Sequence, residues 1–66
     1  MYRNDLIVEA MRKQGKTNES LAHETGLSHA TVSAVRNGNP DVKLPTLKAI
    51  ADALGLDLQK LFRSAA

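Results

Sequence analysis

The sequence predicts a compact all-α domain of five short helices. Apolar residues recur at helical spacing in five segments of the 66-residue chain, and glycine, proline or a helix-capping residue bounds each segment. No segment shows the alternation of apolar and polar residues that a half-buried strand requires. We expect one domain over residues 1–66. Its predicted helices span residues 4–14, 18–25, 29–37, 45–54 and 58–63.

The first helix begins where polar residues precede an apolar stripe. Asn4 or Asp5 is expected to cap its first turn, and Gly15 is expected to end it. The apolar stripe consists of Leu6, Ile7, Ala10 and Met11, which share one helix face. The basic residues near its carboxyl end, expected either to be solvated or to contact phosphate, are Arg12, Lys13 and Lys16.

Residues 17–38 form the centre of the chain, with two short helices joined by a tight turn. Thr17 and Ser28 suit the starts of these helices because a hydroxyl there accepts a hydrogen bond from an orphan N–H of the first turn. Gly26 lies in the turn, where we expect a positive φ that glycine adopts at little cost. The apolar residues of the two helices are Leu21, Ala22, Val32 and Val35. This arrangement is a helix-turn-helix signature.

The clearest amphipathic pattern follows in the fourth helix. The turn-forming run Asn37-Gly38-Asn39-Pro40 stops the third helix. Pro45 suits the first position of the fourth, where its missing N–H has no intrahelical partner, and Gly55 suits its end. Asp57 is expected to cap a short fifth helix. The apolar residues of these last two helices are Leu47, Ile50, Ala51, Leu54, Leu58, Leu61 and Phe62.

The composition excludes several classes of protein. The chain has no cysteine, so no disulfide or thiolate metal site is possible, and a reducing cytosol suits it. No apolar run is long enough for a signal peptide or a membrane span. We therefore expect a soluble cytoplasmic protein that needs no cofactor. The net charge of +2 is compatible with nucleic acid, and no Asp or Glu between Glu24 and Asp41 would repel phosphates.

Neither a catalytic nor a metal-binding constellation is evident. Ser28 and His29 are adjacent but point in different directions, and no third group is evident to orient the imidazole. The other histidine, His23, belongs to a different helix, and no acid cluster stands beside it. The sequence therefore predicts neither an enzyme nor a metal site.

The chain resembles, over nearly its whole length, the helix-turn-helix domains of phage lambda repressor, Cro and their bacterial relatives. In that family a polar residue opening the second helix is followed by Leu-Ala, a turn glycine, a Ser or Thr, branched apolar residues and Asn-Gly. The matching residues here are Asn18, Leu21, Ala22, Gly26, Leu27, Ser28, Val32, Val35, Asn37 and Gly38. The tail is similar to the family's fourth and fifth helices at Leu44-Pro45-Thr46-Leu47, Ile50-Ala51, Ala53-Leu54-Gly55 and Leu61-Phe62.

Two positions depart from the family pattern. The residue opening the second helix is usually Gln, and here it is Asn18, which is one methylene shorter. Many relatives pair an Arg on the first helix with an acid late in the third, whereas the matching residues here are Met11 and Arg36. Either Met11 packs and Arg36 turns outward to phosphate, or Arg36 finds a carboxylate elsewhere.

The resemblance implies sequence-specific binding of double-stranded DNA, with the third helix in the major groove. If Val32 and Val35 face inward, the opposite face carries small and polar residues that either read bases or merely coat an exposed helix. A histidine there can donate to guanine N7 or O6, an alanine can meet a thymine methyl, and a hydroxyl can bond to a base or a phosphate. The expected base contacts are His29, Ala30, Thr31, Ser33 and Ala34.

Phosphate contacts are expected at both ends of the helix-turn-helix. The amino terminus of the second helix offers free N–H groups and a partial positive charge. The turn after the third helix is expected to offer N–H groups in the same way, and Lys43 to reach the backbone or an adjacent minor groove. With an outward-facing Arg36 included, the expected phosphate contacts are Thr17, Asn18, Arg36, Asn37, Gly38 and Lys43.

The predicted function is that of a transcriptional regulator at the nucleoid, most simply a repressor on a pseudo-palindromic operator. One recognition helix reads few base pairs, so a homodimer is expected. Its interface is expected at Leu56, Leu58 and Phe62; the alternative is that all three are core residues, which is favoured for Phe62. The rival interpretation is a protein partner, either for an antitoxin that binds a toxin or for an adaptor that has lost DNA binding.

Overall fold

The computed structural model describes residues 2–62 and contains no strand within that range. The four α-helices are α1 (Asn4–Gln14), α2 (Asn18–Thr25), α3 (His29–Arg36) and α4 (Leu44–Leu54), and a 3-10 helix follows at Leu58–Phe62. The predicted all-α class is therefore confirmed. None of the described helices has the length and apolar composition needed to cross a membrane.

The fifth predicted helix is the principal correction to the fold. Leu58–Phe62 forms a 3-10 helix of five residues, and the predicted end at Arg63 lies outside the described residues. The Lys60 N–H donates to the Asp57 carbonyl at 3.0 Å, which is the three-residue step of a 3-10 helix. Apolar residues three and four positions apart suit either helix type, so their spacing could not distinguish the two.

The start of α1 also differs from the prediction. Arg3 precedes the first turn and makes no capping hydrogen bond through its side chain. The Asn4 side-chain amide donates instead to the Arg36 carbonyl at 2.9 Å. The Asp5 carboxylate accepts from Arg3 at 2.8 Å, and this hydrogen bond lowers the pKa of Asp5. Both expected caps are therefore engaged elsewhere.

Two further helix ends are shifted by one residue. α3 ends at Arg36 instead of residue 37, because Asn37 forms the cap that follows the helix. α4 begins at Leu44 instead of Pro45. Pro45 thus occupies the second helical position, where a missing N–H still costs no intrahelical hydrogen bond.

The predicted caps and turn of the helix-turn-helix are confirmed. Thr17 Oγ1 accepts from the Ser20 N–H at 3.1 Å, and Ser20 Oγ accepts in return from the Thr17 N–H at 2.9 Å, which is a capping box. Ser28 Oγ accepts from the Thr31 N–H at 3.1 Å. Gly26 has φ +73°, a left-handed conformation that costs other residues about 1–2 kcal/mol. Local interactions thus set where α2 ends and α3 begins.

The core lies between the inner faces of the four α-helices and the 3-10 helix. Burying a large apolar side chain contributes about 1.5–3 kcal/mol. Helices of eight residues, such as α2 and α3, are too short to be stable alone in water, so this packing holds them. The buried apolar residues are Ile7, Ala10, Met11, Leu21, Val32, Val35, Leu47, Ile50, Ala51, Leu54 and Leu61.

The connection between α1 and α2 is fixed to the carboxyl end of α4. Gln14 Nε2 donates to the Leu54 carbonyl at 2.8 Å. Lys16 Nζ donates to the Ala53 carbonyl at 2.8 Å and to the Glu24 carboxylate at 3.0 Å. These bonds satisfy carbonyls that the end of α4 leaves without an intrahelical partner.

Candidate nucleic-acid interface

The rotation of α3 about its axis is fixed by two buried valines. Val32 is 1% exposed and Val35 is 0% exposed, so the opposite side of the helix faces outward. His29 and Ala30 are exposed on that side. The other three residues expected to contact bases, which are half-buried, are Thr31, Ser33 and Ala34. The outward face predicted for α3 is therefore present, with its amino-terminal end the more accessible.

The hydroxyl of Thr31 already has a partner within the protein. Its Oγ1 lies 2.8 Å from Ser28 Oγ, and the two share one hydrogen bond. Ser28 Oγ also accepts from the Thr31 N–H at 3.1 Å. Each hydroxyl has more than one hydrogen-bonding position, so Thr31 keeps capacity for one external partner. The cap at Ser28, however, sets the orientation of the Thr31 hydroxyl.

A concavity of about 310 Å³ runs beside the outward face of α3. One wall consists of Ala30, Thr31 and Ala34. The other wall, formed by the loop after α3 and the start of α4, consists of Asn39, Asp41, Val42, Lys43 and Thr46. The outward face of α3 is thus continuous with the α3–α4 loop, which places Lys43 beside α3.

Asp41 is a residue of this surface that the sequence reasoning missed. The absence of acids between Glu24 and Asp41 suggested a surface without negative charge, yet the loop brings the Asp41 carboxylate into the same concavity as Lys43. Asn39 Oδ1 accepts from the Asp41 N–H at 2.8 Å, which tightens the loop. A carboxylate there disfavours phosphate but can accept from the N4 amino group of cytosine.

The two departures from the family pattern contact each other. Met11 is 3% exposed and packs in the core, whereas Arg36 is exposed. Arg36 Nη1 donates to Asn18 Oδ1 at 3.3 Å, which joins the last turn of α3 to the first residue of α2. Arg36 therefore faces outward, as one of the two alternatives held, and its partner is an amide oxygen. This hydrogen bond brings Asn18 and Arg36, two of the residues predicted to contact phosphate, side by side.

The start of α2 keeps donors available for an anion. Within residues 2–62, the backbone N–H groups of Asn18 and Glu19 make no hydrogen bond, as is usual for the first turn of a helix. The Thr17 hydroxyl, in contrast, is occupied by the capping box. A phosphate at this end would thus meet backbone N–H groups and the Asn18 side chain.

The carboxyl end of α3 differs from the expectation of free N–H groups. The Asn37 N–H donates to the Ser33 carbonyl at 3.0 Å, and the Gly38 N–H donates to the Val35 carbonyl at 3.2 Å. Both groups are consumed in closing the helix, and this end of a helix carries partial negative charge. At this end the exposed side chains of Arg36 and Asn37, and not these backbone N–H groups, remain to donate to a phosphate.

Most basic side chains of the described range are engaged in ion pairs. Glu9 binds two of them, and the hydrogen bond from Arg12 lowers its pKa. The paired residues are Arg3, Arg12, Lys13, Lys16 and Lys48. Within residues 2–62, Arg36, Lys43 and Lys60 form no ion pair; Arg36 is the last residue of α3, and Lys43 lies beside that helix. Two of the three described basic side chains without an ion pair therefore lie on α3 or beside it.

The residues expected at a dimer interface are split between core and surface. Leu56 and Leu58 are half-buried and pack against the core, whereas Phe62 is 49% exposed. The preference for Phe62 as a core residue was wrong, because the 3-10 helix turns Leu61 inward in its place. Leu44, which the sequence placed in a loop, is 56% exposed. A groove of about 200 Å³ is lined by Tyr2, Pro40, Val42, Leu44, Leu47 and Phe62.

The two histidines are exposed and lie on different helices. Across residues 2–62, no three His, Asp or Glu side chains lie close enough together to hold a metal ion.

Comparison with known families places the site in context. The sequence model of a family described as helix-turn-helix matches residues 7–61. The matched range includes the whole of α2, α3 and α4. No curated protein matches the chain.

Proposed function

The chain belongs to the Cro/C1-type helix-turn-helix family of DNA-binding transcription regulators, and we propose that it is a sequence-specific repressor acting at the nucleoid. The proposed target is a pseudo-palindromic operator bound by a homodimer. The observation that carries the proposal is the outward face of α3, which is held in that orientation by Val32 and Val35.

The side chains of this face suit the major groove. A groove about 12 Å wide admits one α-helix, and residues near the helix amino terminus reach the base edges. His29, exposed at the first position of α3, donates to a guanine in this arrangement. Ala30 and Ala34 lie one turn apart and meet thymine methyls, while Ser33 and Thr31 supply hydroxyls. We expect an operator half-site with a guanine next to thymines.

Backbone contacts fix the register of this docking. Roughly half to two-thirds of protein–DNA hydrogen bonds go to phosphate and sugar. In the proposed complex Arg36 and Lys43 each meet a phosphate, while Asn18 and the first-turn N–H groups of α2 hold another. Thr17 and Gly38 approach the backbone closely, and Asn37 donates through its side chain.

A selection of bound sequences from random double-stranded DNA tests the proposal directly. We expect an enriched motif with two-fold symmetry and half-site centres about 34–36 Å apart. Enrichment of no motif, with binding that is equal on all sequences, would contradict a sequence-specific repressor.

The dependence of affinity on salt tests the phosphate contacts. We expect Arg36→Ala and Lys43→Ala each to weaken binding to all sequences and to reduce the slope of log K against log salt by about 1. Lys60→Ala is the matched control, because Lys60 is also without an ion pair in residues 2–62 but lies on the 3-10 helix. An equal reduction in the slope with Lys60→Ala would argue against a localised phosphate surface.

We propose the groove containing Leu44 and Phe62 as the centre of the homodimer interface. Both side chains are about half exposed, and a two-fold interface requires a patch that is complementary to itself. The exposed ring of Phe62 projects toward the second copy in this arrangement, and the apolar groove beside it receives the same ring from that copy. Leu58 lies on the same 3-10 helix as Phe62, whereas Leu56 lines a separate concavity against α1; in the proposed dimer these two leucines extend the interface beyond the groove.

Phe62→Ser is expected to weaken self-association by about tenfold or more, because an aromatic side chain at the centre of an interface carries much of its energy. The thermal midpoint of the monomer should change little, since Phe62 is 49% exposed. Analytical ultracentrifugation measures the dissociation constant, and the exposed neighbour Gln59, changed to Ser, is the control. A wild-type chain that stays monomeric, both free and on DNA, would exclude the homodimer.

The groove that contains Leu44 and Phe62 also favours one alternative function. An apolar surface with an exposed Leu and Phe also suits a protein partner, such as a toxin bound by an antitoxin or another regulator. Salt distinguishes the two, because DNA affinity falls steeply with ionic strength and an apolar protein contact does not.

A further inference from the structure

The amino-terminal segment Tyr2–Asn4 contacts the last turn of α3 through side-chain hydrogen bonds. Tyr2 Oη donates to the Val35 carbonyl at 2.6 Å and lies 3.4 Å from the Ala34 carbonyl oxygen. Asn4 Nδ2 donates to the Arg36 carbonyl at 2.9 Å. These bonds link residues more than thirty positions apart in the chain. The recognition helix is thus held at its carboxyl end by the beginning of the chain.

The segment is itself anchored on its other side. The Arg3 N–H donates to the Leu61 carbonyl at 2.7 Å, and Leu61 is fully buried. The three residues therefore connect the 3-10 helix to α3. Burial raises the pKa of the Tyr2 hydroxyl.

Two of the four terminal carbonyls of α3 accept hydrogen bonds from the segment. The last four carbonyls of a helix have no intrahelical partner. In α3 the Ser33, Ala34 and Val35 carbonyls accept from the N–H groups of the following turn. The Arg36 carbonyl accepts from Asn4. Tyr2 supplies a second, shorter bond to Val35, and both donors offset negative charge at the helix end nearest the proposed phosphate contacts.

Gly38 makes room for this arrangement. Its φ of +79° places it in the left-handed region, as the turn after a helix commonly requires. A Cβ at this position would lie 3.0 Å from the Asn4 side chain. Glycine therefore serves both the turn and the close approach of Asn4.

We propose that Tyr2 and Asn4 are positioning residues for DNA recognition, and that residues 2–4 form an amino-terminal latch on the recognition helix. The inference rests on the proposed function. α3 has only eight residues, so fraying of its last turn would displace Ser33, Ala34 and Arg36 together. The latch keeps these residues in one arrangement before DNA binds, which reduces the ordering cost at the moment of binding.

The double variant Tyr2→Phe/Asn4→Ala tests the latch without introducing bulk. Removing the two donors should raise the Kd for the selected operator by about tenfold, equivalent to about 1.4 kcal/mol. The Kd for random DNA should change by less than about twofold, because non-specific binding depends on phosphate charge and not on an ordered reading face. The result is the ratio of the Kd for random DNA to the Kd for the selected operator, measured well below the thermal midpoint. We expect this ratio to fall in the double variant.

Gln14→Ala is the matched control. Gln14 also donates a side-chain amide to a carbonyl at the end of a helix, but to Leu54 of α4. The latch is supported if Gln14→Ala loses about as much folding stability as the double variant but leaves the Kd ratio unchanged. A similar fall of the ratio in the control, or an unchanged ratio in the latch variant, would overturn it.

Hydrogen exchange separates failure of the latch from failure of the proposed function. In the free protein, the amides of Asn37 and Asn39, which close the end of α3, should exchange faster in the latch variant and not in Gln14→Ala. If the wild-type chain prefers no DNA sequence, the proposed function fails and the role of the latch in recognition fails with it, whatever the exchange rates. If wild-type binding is selective but exchange at these amides is unchanged by the double variant, the latch alone is excluded.

Discussion

Replacing Leu21 by alanine is expected to lower the free energy of unfolding by about 2–5 kcal/mol. Leu21 is 0% exposed and is the only residue of α2 in the buried class. Its truncation removes the most deeply buried apolar side chain of α2, beside which Ala22 is only partly buried, and leaves a cavity in the core. A domain of this size has a total stability of about 3–10 kcal/mol. The variant should therefore lose about half of its folding stability and unfold at a markedly lower denaturant concentration.

Chemical denaturation followed by circular dichroism measures this loss. Leu44→Ala is the matched control, because the chemical change is the same and Leu44 is 56% exposed; both variants are measured at a protein concentration at which the chain is monomeric, since Leu44 belongs to the proposed dimer interface. Its effect should remain within about 0.5 kcal/mol, as is usual for surface substitutions. Equal losses for the two leucines would mean that α2 is not held by the core as described.

The second large effect concerns recognition. We expect His29→Ala to cost about 1–3 kcal/mol on the selected operator and to relax discrimination at one base pair. The exposed imidazole stands at the first position of α3, the end of a recognition helix that penetrates deepest into the groove. Because His29 is exposed, folding stability should change little.

The matched control is His23→Ala, which removes the same side chain from an exposed position on α2. Binding of both variants to the selected operator, to operators mutated one base pair at a time and to random DNA gives the comparison. A loss that is equal on operator and random DNA for His29→Ala would assign His29 to the phosphate backbone instead of base reading.

Interactions between near neighbours in the chain were predictable. Thr17 and Ser28 cap their helices with partners three residues away, and Gly26 takes the left-handed conformation at the turn. The inward direction of Val32 and Val35 follows from helical period alone. For this reason the helix-turn-helix, and with it the outward face of α3, could be predicted from the amino-acid sequence alone.

Groups with several possible partners were not predictable in this way. Asn4 suits a helix cap by its type, yet its amide bonds to Arg36, which is 32 residues away. Asp41 comes beside Ala30 and Ala34 of α3 only because of the path of the loop after that helix. Arg36 could have met a phosphate or a carboxylate, and only the packing of α2 against α3 shows that Asn18 lies within 3.3 Å of it.

The sequence by itself determined the all-α class, the four α-helices to within one residue at each end, the caps of α2 and α3 and the apolar residues of the core. These features depend on hydrogen bonds and periodicities within a few residues, which the order of amino acids specifies directly. Tertiary structure alone decided the 3-10 form of the last helix, the exposure of Phe62 and the latching of α3 by Tyr2 and Asn4. These features depend on which distant groups packing brings within hydrogen-bonding or van der Waals distance, and local preference carries no information about that.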